Sequence, residues 1–178
     1  TGCYTSPYIT CFRERMQING RPIPEEELDG LAHLLLPITD GLAAQGMDLC
    51  HFEVVTAAAF CWFAKEKCDL VCLETGLGGR LDATNILSPE SCVLSVLAAI
   101  GFDHMELLGN TIREIAYEKC GILKPGVPAV CYPDQPEDAL EVIFASGAQK
   151  GCVLNLPSLS SLRDESSSAF SQLRLPMY

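Results

Sequence analysis

The sequence contains no apolar run that approaches the length needed to span a bilayer, so no membrane-spanning helix is predicted. Basic residues are also scarce: 12 Lys and Arg stand against 23 Asp and Glu, which gives a formal net charge of −11. Such an acidic chain is a poor candidate for binding nucleic acid through its phosphates. The charge does not exclude a nucleotide ligand, which needs only local positive groups or backbone N–H donors.

No two of the ten cysteines form a C-x-x-C pair, the spacing of zinc ribbons and thioredoxin-like sites. Several lie inside apolar runs, where cysteine packs as a small hydrophobic side chain. We therefore expect reduced thiols and a cytoplasmic location, since disulfide frameworks are more typical of shorter secreted chains. The opening TGCYTSP has neither a basic segment nor an initiating methionine, so no signal peptide is predicted and the sequence is expected to begin inside a longer protein.

The order of apolar runs predicts one α/β domain, or most of one, within the 178 residues. Apolar runs bounded by turn residues predict strands near 69–74, 91–97, 127–132 and 152–156. Helical spacing predicts helices over 53–67, 111–119 and 136–150. Strands that alternate with helices are typical of a mostly parallel sheet flanked by helices.

The remaining segments carry weaker signals. Alternating apolar and charged residues at 12–18 predict a strand that ends at the turn Asn19-Gly20, and its two arginines, Arg13 and Arg15, are interpreted as a solvated strand edge. A helix is predicted from Pro24, with Pro37 expected to kink or end it. The serine-rich residues 157–171 predict a loop or hairpin.

The stretch DLVCLETGLGGRLDATN, residues 69–85, has the features of a ligand site. Its buried strand ends at Glu74 and is followed by a glycine-rich loop, which is where open α/β sheets bind ligands. Asp103 and His104 follow the next predicted strand, so Glu74 and His104 are expected to lie near each other at one edge of the sheet. Taken alone, the pattern slightly favours an ordinary solvent-facing turn with an incidental acid.

Longer blocks of sequence resemble one family. TSPY with FRERMQINGRPI, HFEVVTAAAFCWFA, LETGLGGRLDATN and GFDHMELLGNTIREIAYEKCGILKPG are similar to the folylpolyglutamate synthase/dihydrofolate synthase family of the Mur ligase superfamily. The resemblance runs from about Thr5 to Val130. It implies an incomplete N-terminal or central ATP-binding domain over residues 1–178. It also implies a ligase that uses ATP and Mg²⁺ to join L-glutamate to a folate, or to dihydropteroate, through an acyl phosphate.

The resemblance also assigns roles to residues. It implies Mg²⁺ ligands at Ser6, Glu74 and His104, and a catalytic lysine carboxylated by CO₂ at Lys119. The positions that it implies for the pterin pocket are Cys50, His51, Phe52, Glu53, Leu81, Asp82 and Ala83. Each has a simpler interpretation: Ser6 could be an ordinary loop serine, Asp103 a helper of His104, Glu53 a helix-dipole partner and Lys119 a helix C-terminal cap.

The sequence departs from this family's pattern in three ways. Tyr8 stands where the family usually has His after TSP, no G-x-x-G-K-[ST] phosphate loop occurs, and no glutamate-binding C-terminal domain follows. We expect both missing parts in a full-length, monomeric ligase, and an inactive fragment without them. A muropeptide ligase of the same superfamily and a non-catalytic nucleotide- or pterin-binding paralogue are the alternatives. The sequence leaves open whether dihydropteroate, tetrahydrofolate or both are substrates.

Overall fold

The computed structural model describes residues 1–158, which form two compact units. The first unit is Thr1–Ile86 and the second begins at Leu87. Most of the serine-rich segment, residues 157–171, for which a loop or hairpin is predicted, lies outside the described residues.

The first unit contains a four-stranded sheet in the order β3-β2-β1-β4. Its strands are β1 (Gly2–Tyr4), β2 (Met16–Ile18), β3 (Arg21–Pro22) and β4 (Val71–Leu73). β2 and β3 form an antiparallel hairpin around Asn19 and Gly20, whose φ angles of 51° and 75° are those of a tight hairpin turn. β4, the predicted strand before Glu74, pairs in parallel with β1 and sets Cys72 opposite Cys3.

The strand predicted over residues 12–18 is wrong in its first half. Phe12–Arg15 forms a 3-10 helix, and only Met16–Ile18 is extended. The reason is local: the Glu14 carboxylate accepts hydrogen bonds from backbone N–H groups of residues 9–11, which requires the chain to turn back.

Two helices cover this sheet. Helix α1 (Glu25–Ala43) runs through Pro37, which therefore does not end it. His33, whose carbonyl would otherwise accept from residue 37, is exposed, so water can take the place of the missing N–H. Helix α2 (His51–Lys65) begins two residues earlier than predicted and buries Val55, Ala59 and Trp62 at helical spacing.

The core of the first unit lies between α2 and the sheet. Tyr4, Met16, Ile23 and Phe63 are at most 3% exposed, and Trp62 is core as predicted. The Tyr4 hydroxyl lies 3.0 Å from the Thr56 hydroxyl, so the buried polar atoms satisfy each other.

The second unit contains a parallel sheet in the order β5-β6-β7. Its elements are β5 (Ser95–Leu97), β6 (Ala129–Cys131), β7 (Leu154–Asn155), α3 (Met105–Leu108), α4 (Ile112–Lys119) and α5 (Glu137–Lys150). All four strands predicted from the apolar runs are present, each in a parallel pair, and the α/β fold class is confirmed.

Within residues 1–158, no helix is both long and apolar enough to cross a membrane. All ten cysteines lie in this part of the chain, and the structure leaves each one unpaired. Burial raises the pKa of the Cys120 thiol to about 11, which keeps it protonated and unreactive at neutral pH.

Candidate functional site

Ser6 and Glu74 lie side by side at the carboxyl end of β4. The Glu74 N–H donates to the Tyr4 carbonyl at 2.8 Å, which continues the pairing of β4 with β1. The Ser6 N–H in turn donates to Glu74 Oε2 at 2.6 Å. The Ser6-Pro7 peptide bond is cis. Two residues that lie 68 positions apart in sequence are therefore joined by a hydrogen bond from the Ser6 backbone to the Glu74 carboxylate.

Glu14 organises the loop that carries Ser6. Its carboxylate accepts hydrogen bonds from the N–H groups of Ile9, Thr10 and Cys11 at 3.0 to 3.2 Å, and from the Thr10 hydroxyl. The Thr10 hydroxyl, followed by these N–H groups, lowers the pKa of Glu14 to about 2. The sequence analysis missed this residue. The spacing Cys11-x-x-Glu14, with an acid at the third position of a helical turn, is the signal that could have found it.

We expect Glu14→Gln to lower the melting temperature, because an amide has one oxygen where the carboxylate uses two. Since the folded pKa lies below the ordinary 4.5, the stabilisation is fully present above pH 4.5 and is lost as the pH falls to about 2. The difference in melting temperature between wild type and variant should therefore be largest at neutral pH and shrink progressively below pH 4.5. A difference that stays constant from pH 7 to pH 3 would contradict this role.

Aromatic side chains line the space beside the Ser6 loop. The Tyr8 and Phe12 rings meet edge to face at a centroid separation of 6.0 Å, and Phe12 meets His51 in the same way at 5.9 Å. Phe52 lies 5.9 Å from Tyr4. The start of α2, predicted from the resemblance as part of a substrate pocket, therefore adjoins the Ser6 loop.

Residues 50–53 also have a structural function. Glu53 Oε2 accepts from the Cys50 N–H at 2.7 Å and closes a capping box at the start of α2. This contact favours the simpler interpretation of Glu53, while His51 is exposed beside Phe12.

The glycine-rich loop is held by Asp82. Its Oδ2 accepts from the N–H groups of Gly76 and Leu77 at 3.1 and 3.0 Å, and its Oδ1 accepts from the Thr84 N–H and hydroxyl at 2.9 and 2.6 Å. Asp82 is thus a scaffold of the loop. Its neighbour Leu81 is 79% exposed, an apolar side chain available to a ligand, and Ala83 begins a short 3-10 helix.

Gly76 packs directly on Phe52: a Cβ atom at this position would lie 2.5 Å from the end of the Phe52 ring. We expect Gly76→Ala to destabilise the protein by about 1–3 kcal/mol, because the ring or the loop must move. Gly30→Ala is a matched control within the exposed part of α1, where a Cβ meets nothing within 4 Å and should stabilise by roughly 0.5–1 kcal/mol. Denaturant unfolding of both variants measures the change in the free energy of unfolding. A Gly76→Ala variant as stable as wild type would refute the close packing of Gly76 on Phe52.

In the second unit, His104 has a left-handed backbone with φ 48° and ψ 40°. This conformation is uncommon for non-glycine residues, although His adopts it more often than most, and such outliers cluster at functional sites. His104 Nε2 lies 3.6 Å from Asp103 Oδ2, and both side chains are exposed, so the pair contributes little stability. The contact is compatible with Asp103 as a helper of His104.

Gln135 supports the segment that leads to His104. It is 8% exposed; its Oε1 accepts from the Ile100 N–H and its Nε2 donates to the Ala98 carbonyl, each at 2.8 Å. This role of Gln135 is not evident from sequence, because a loop glutamine gives no signal of a partner 35 positions away.

Lys119 is the last residue of α4 and is half-buried. The carbonyls that follow this helix are bound by another lysine: Lys150 Nζ donates to Leu123, Cys120 and Gly121 at 2.7, 3.2 and 3.4 Å. The cation that caps this turn is therefore Lys150, which the sequence analysis did not identify. Lys119 remains the basic residue in the last turn of α4, so its capping interpretation stays open beside the catalytic one.

The structure brings Ser6, Glu74, the start of α2 and the glycine-rich loop together within the first unit. His104 and Lys119 belong to the second unit, so their sharing of a site with Glu74 stays a prediction. Among residues 1–158, no group of three His, Cys, Asp or Glu side chains could hold a metal ion.

No model of a protein family matches the chain. It is 49% identical over 144 residues to a dihydrofolate synthase/folylpolyglutamate synthase from Bacillus subtilis, an alignment of 80% of this chain and 33% of that protein. Its fold is similar to that of E. coli FolC in complex with DHPP and ADP, with a TM-score of 0.76 and 31% identity over 89% of this chain and 36% of that one. A complex of FPGS with AMPPCP and folate superimposes with a TM-score of 0.79 and 36% identity, covering 86% and 37% of the two chains.

The chain thus spans about a third of the length of the relatives it matches. These similarities extend over most of the described residues and include both units. Over the residues that it spans, the chain belongs to the folylpolyglutamate synthase/dihydrofolate synthase family.

Proposed function

We propose that the full protein is an ATP-dependent ligase that joins L-glutamate to the carboxylate of a folate or of dihydropteroate. The observation that carries the proposal is the contact between Ser6 and Glu74 at the end of β4. The Ser6 backbone binds the Glu74 carboxylate there, beside the glycine-rich loop and the rings of Tyr8, Phe12 and His51. The relatives with folate, DHPP and adenine nucleotides in their names support the choice of substrates.

The proposed reaction has two balanced steps. A carboxylate oxygen of the acceptor attacks the γ-phosphorus of ATP; the bond from that phosphorus to the bridging oxygen breaks, and ADP leaves. The amine of L-glutamate then attacks the acyl carbon, the bond to the phosphate oxygen breaks, and the nitrogen loses a proton. The products are an amide, ADP and inorganic phosphate.

The side chains at the end of β4 fit Mg²⁺. The Ser6 hydroxyl and the Glu74 carboxylate are hard oxygen donors, the type that this ion prefers. The Ser6 N–H binds the Glu74 carboxylate, and Glu14 binds the N–H groups of residues 9–11 in the loop that carries Ser6. A bound Mg²⁺ would neutralise charge on the transferring phosphoryl group. His104 is proposed as a further ligand on the resemblance alone.

For Lys119, the proposed role is a carbamate formed with CO₂. A carbamate replaces a cation with an anionic oxygen donor. Lys119 is half-buried at the end of α4, and the turn that follows the helix is bound by a different lysine, Lys150. Residues 50–53, Leu81 and Ala83 are proposed to contact the pterin.

The cellular setting is also a proposal. Ten unpaired cysteines, among them thiols whose pKa burial raises, suit a reducing compartment such as the cytoplasm. A monomeric state of the full protein is proposed as well, and light scattering of the purified protein tests it.

The test is ATP-dependent incorporation of labelled L-glutamate by the full-length protein. Tetrahydrofolate, dihydropteroate and a UDP-muramoyl acceptor are supplied in separate reactions. The proposal expects incorporation with either or both pterin acceptors and none with the muramoyl compound. Incorporation with the muramoyl acceptor alone would establish a cell-wall ligase, and binding without incorporation would establish a non-catalytic module.

A further inference from the structure

Arg15 is held by two aromatic rings at the edge of the candidate site. Its guanidinium carbon lies 5.5 Å from the centroid of the Tyr8 ring and 5.8 Å from that of Phe12. Cations at this distance are attracted by the negative face of a ring. The two rings therefore fix the guanidinium group in place without neutralising it.

The charge of Arg15 has no carboxylate partner among residues 1–158, and its Nε atom is buried without a hydrogen-bond acceptor. Arg113 differs, because it pairs with Asp138 and Glu141 on α5. Arg13 has no carboxylate partner among these residues either, but its Nη1 donates to the Ile23 carbonyl at 3.0 Å. A buried donor without a partner is costly, so the Arg15 guanidinium lacks a full set of acceptors among residues 1–158 although the chain has 23 acidic residues.

Arg15 also lies next to the residues proposed to act on the substrate. Its carbonyl accepts from the Thr5 N–H at 2.9 Å, which sets its backbone beside the residue before Ser6. Phe12, which contacts the guanidinium, also meets the His51 ring at the start of α2. Arg15 is thus linked through its backbone to the Ser6 loop and through the Phe12 ring to the start of α2.

We propose that Arg15 binds the acceptor carboxylate that becomes phosphorylated. The inference rests on the proposed ligase function and adds a substrate-binding residue to it. A planar guanidinium matches the two oxygens of a carboxylate, and its fixation by the rings reduces the entropy lost on binding. The aryl carboxylate of dihydropteroate and the side-chain carboxylate at the end of a folate share this chemistry. The rings of Tyr8 and Phe12 offer a flat surface to the group that bears it.

The experiment compares three variants of the full-length protein in the glutamate-ligation assay. Arg15→Met removes the charge and keeps the length, and Arg15→Lys keeps the charge without the planar pair of donors. Arg13→Met is the matched control, because it removes the same charge from the same 3-10 helix. The KM values for acceptor, ATP and L-glutamate are measured separately, with dihydropteroate and tetrahydrofolate in parallel.

We expect Arg15→Met to raise the KM for the acceptor by roughly tenfold or more, the loss typical of a charge-assisted hydrogen bond. The KM of Arg15→Lys for the acceptor should lie between those of Arg15→Met and wild type. The KM for ATP should change by less than about twofold in both, and Arg13→Met should leave all three values within the same range. The acceptor whose KM rises identifies which carboxylate Arg15 binds.

An unchanged acceptor KM in Arg15→Met, with an active wild type, overturns the inference and leaves the ligase function intact. A rise in the KM for ATP alone also overturns it, because the guanidinium would then bind a phosphate. A wild type that ligates neither pterin acceptor overturns the proposed function together with this inference. If Arg15→Met does not fold, as judged by its melting curve, the inference is tested with Arg15→Lys instead. Its KM for the acceptor is then compared with its KM for ATP in the same way.

Discussion

Exchange of Glu74 for Gln in the full-length protein is expected to lower ligation turnover by on the order of a thousandfold, with the fold retained. Loss of a metal-binding carboxylate removes several kcal/mol of transition-state stabilisation, and each 1.4 kcal/mol is a factor of ten in rate. The amide oxygen of Gln can still accept from the Ser6 N–H, so the loop contact at 2.6 Å is preserved. Turnover and a melting curve separate these two effects.

Glu26→Gln is the matched control for that experiment. Glu26 is an exposed carboxylate in the first turn of α1, in the same unit as Glu74, and its exchange removes the same charge. Its turnover should equal that of wild type. Wild-type turnover in Glu74→Gln would remove Glu74 from the mechanism.

Lys119→Arg and Lys119→Ala are both expected to be severely impaired in ligation, by about a hundredfold or more if the carbamate is a metal ligand. A carbamate requires an amine that can lose its proton, which a guanidinium does not do. A helix cap would require only a positive charge, and Arg would then suffice. Ligation is measured with and without an added short-chain carboxylic acid, which should partly restore Lys119→Ala by occupying the vacated oxygen position.

Lys150→Met is the control for a lysine whose role is structural, in contrast to the catalytic role proposed for Lys119. Its three donated hydrogen bonds to the turn after α4 should make this variant less stable than wild type. We expect no rescue of it by a carboxylic acid. Full activity of Lys119→Arg would end the carbamate hypothesis, whatever the behaviour of Lys150→Met.

The strands and helices with long apolar runs could be predicted from sequence, because their burial is encoded locally. Val71–Leu73, Ser95–Leu97 and Ala129–Cys131 all fall inside predicted strands. The failure at Phe12–Arg15 has a different origin. There a single carboxylate, Glu14, gathers backbone donors and outweighs an alternation of apolar and charged residues that is typical of a strand.

In the candidate site, too, residues with a local sequence signal could be predicted, and residues that depend on distant contacts could not. Glu74 stood out from residue types alone, as an acid between a buried strand and a glycine-rich loop, but an ordinary turn remained slightly favoured. Ser6 was assigned only by resemblance, since its partner lies 68 positions away. Gln135 and Lys150 were missed because their roles depend on carbonyls and N–H groups of segments about 30 residues distant, which only the folded chain brings close.

Transfer of an oxygen atom tests the central claim most directly. The full-length protein is supplied with ATP, L-glutamate and a pterin acceptor whose reacting carboxylate is labelled with ¹⁸O, and the inorganic phosphate is analysed by mass spectrometry. Because an acyl phosphate joins a carboxylate oxygen to phosphorus and later releases it with phosphate, the account predicts labelled phosphate in step with ligation. Ligation that yields only unlabelled phosphate would contradict it.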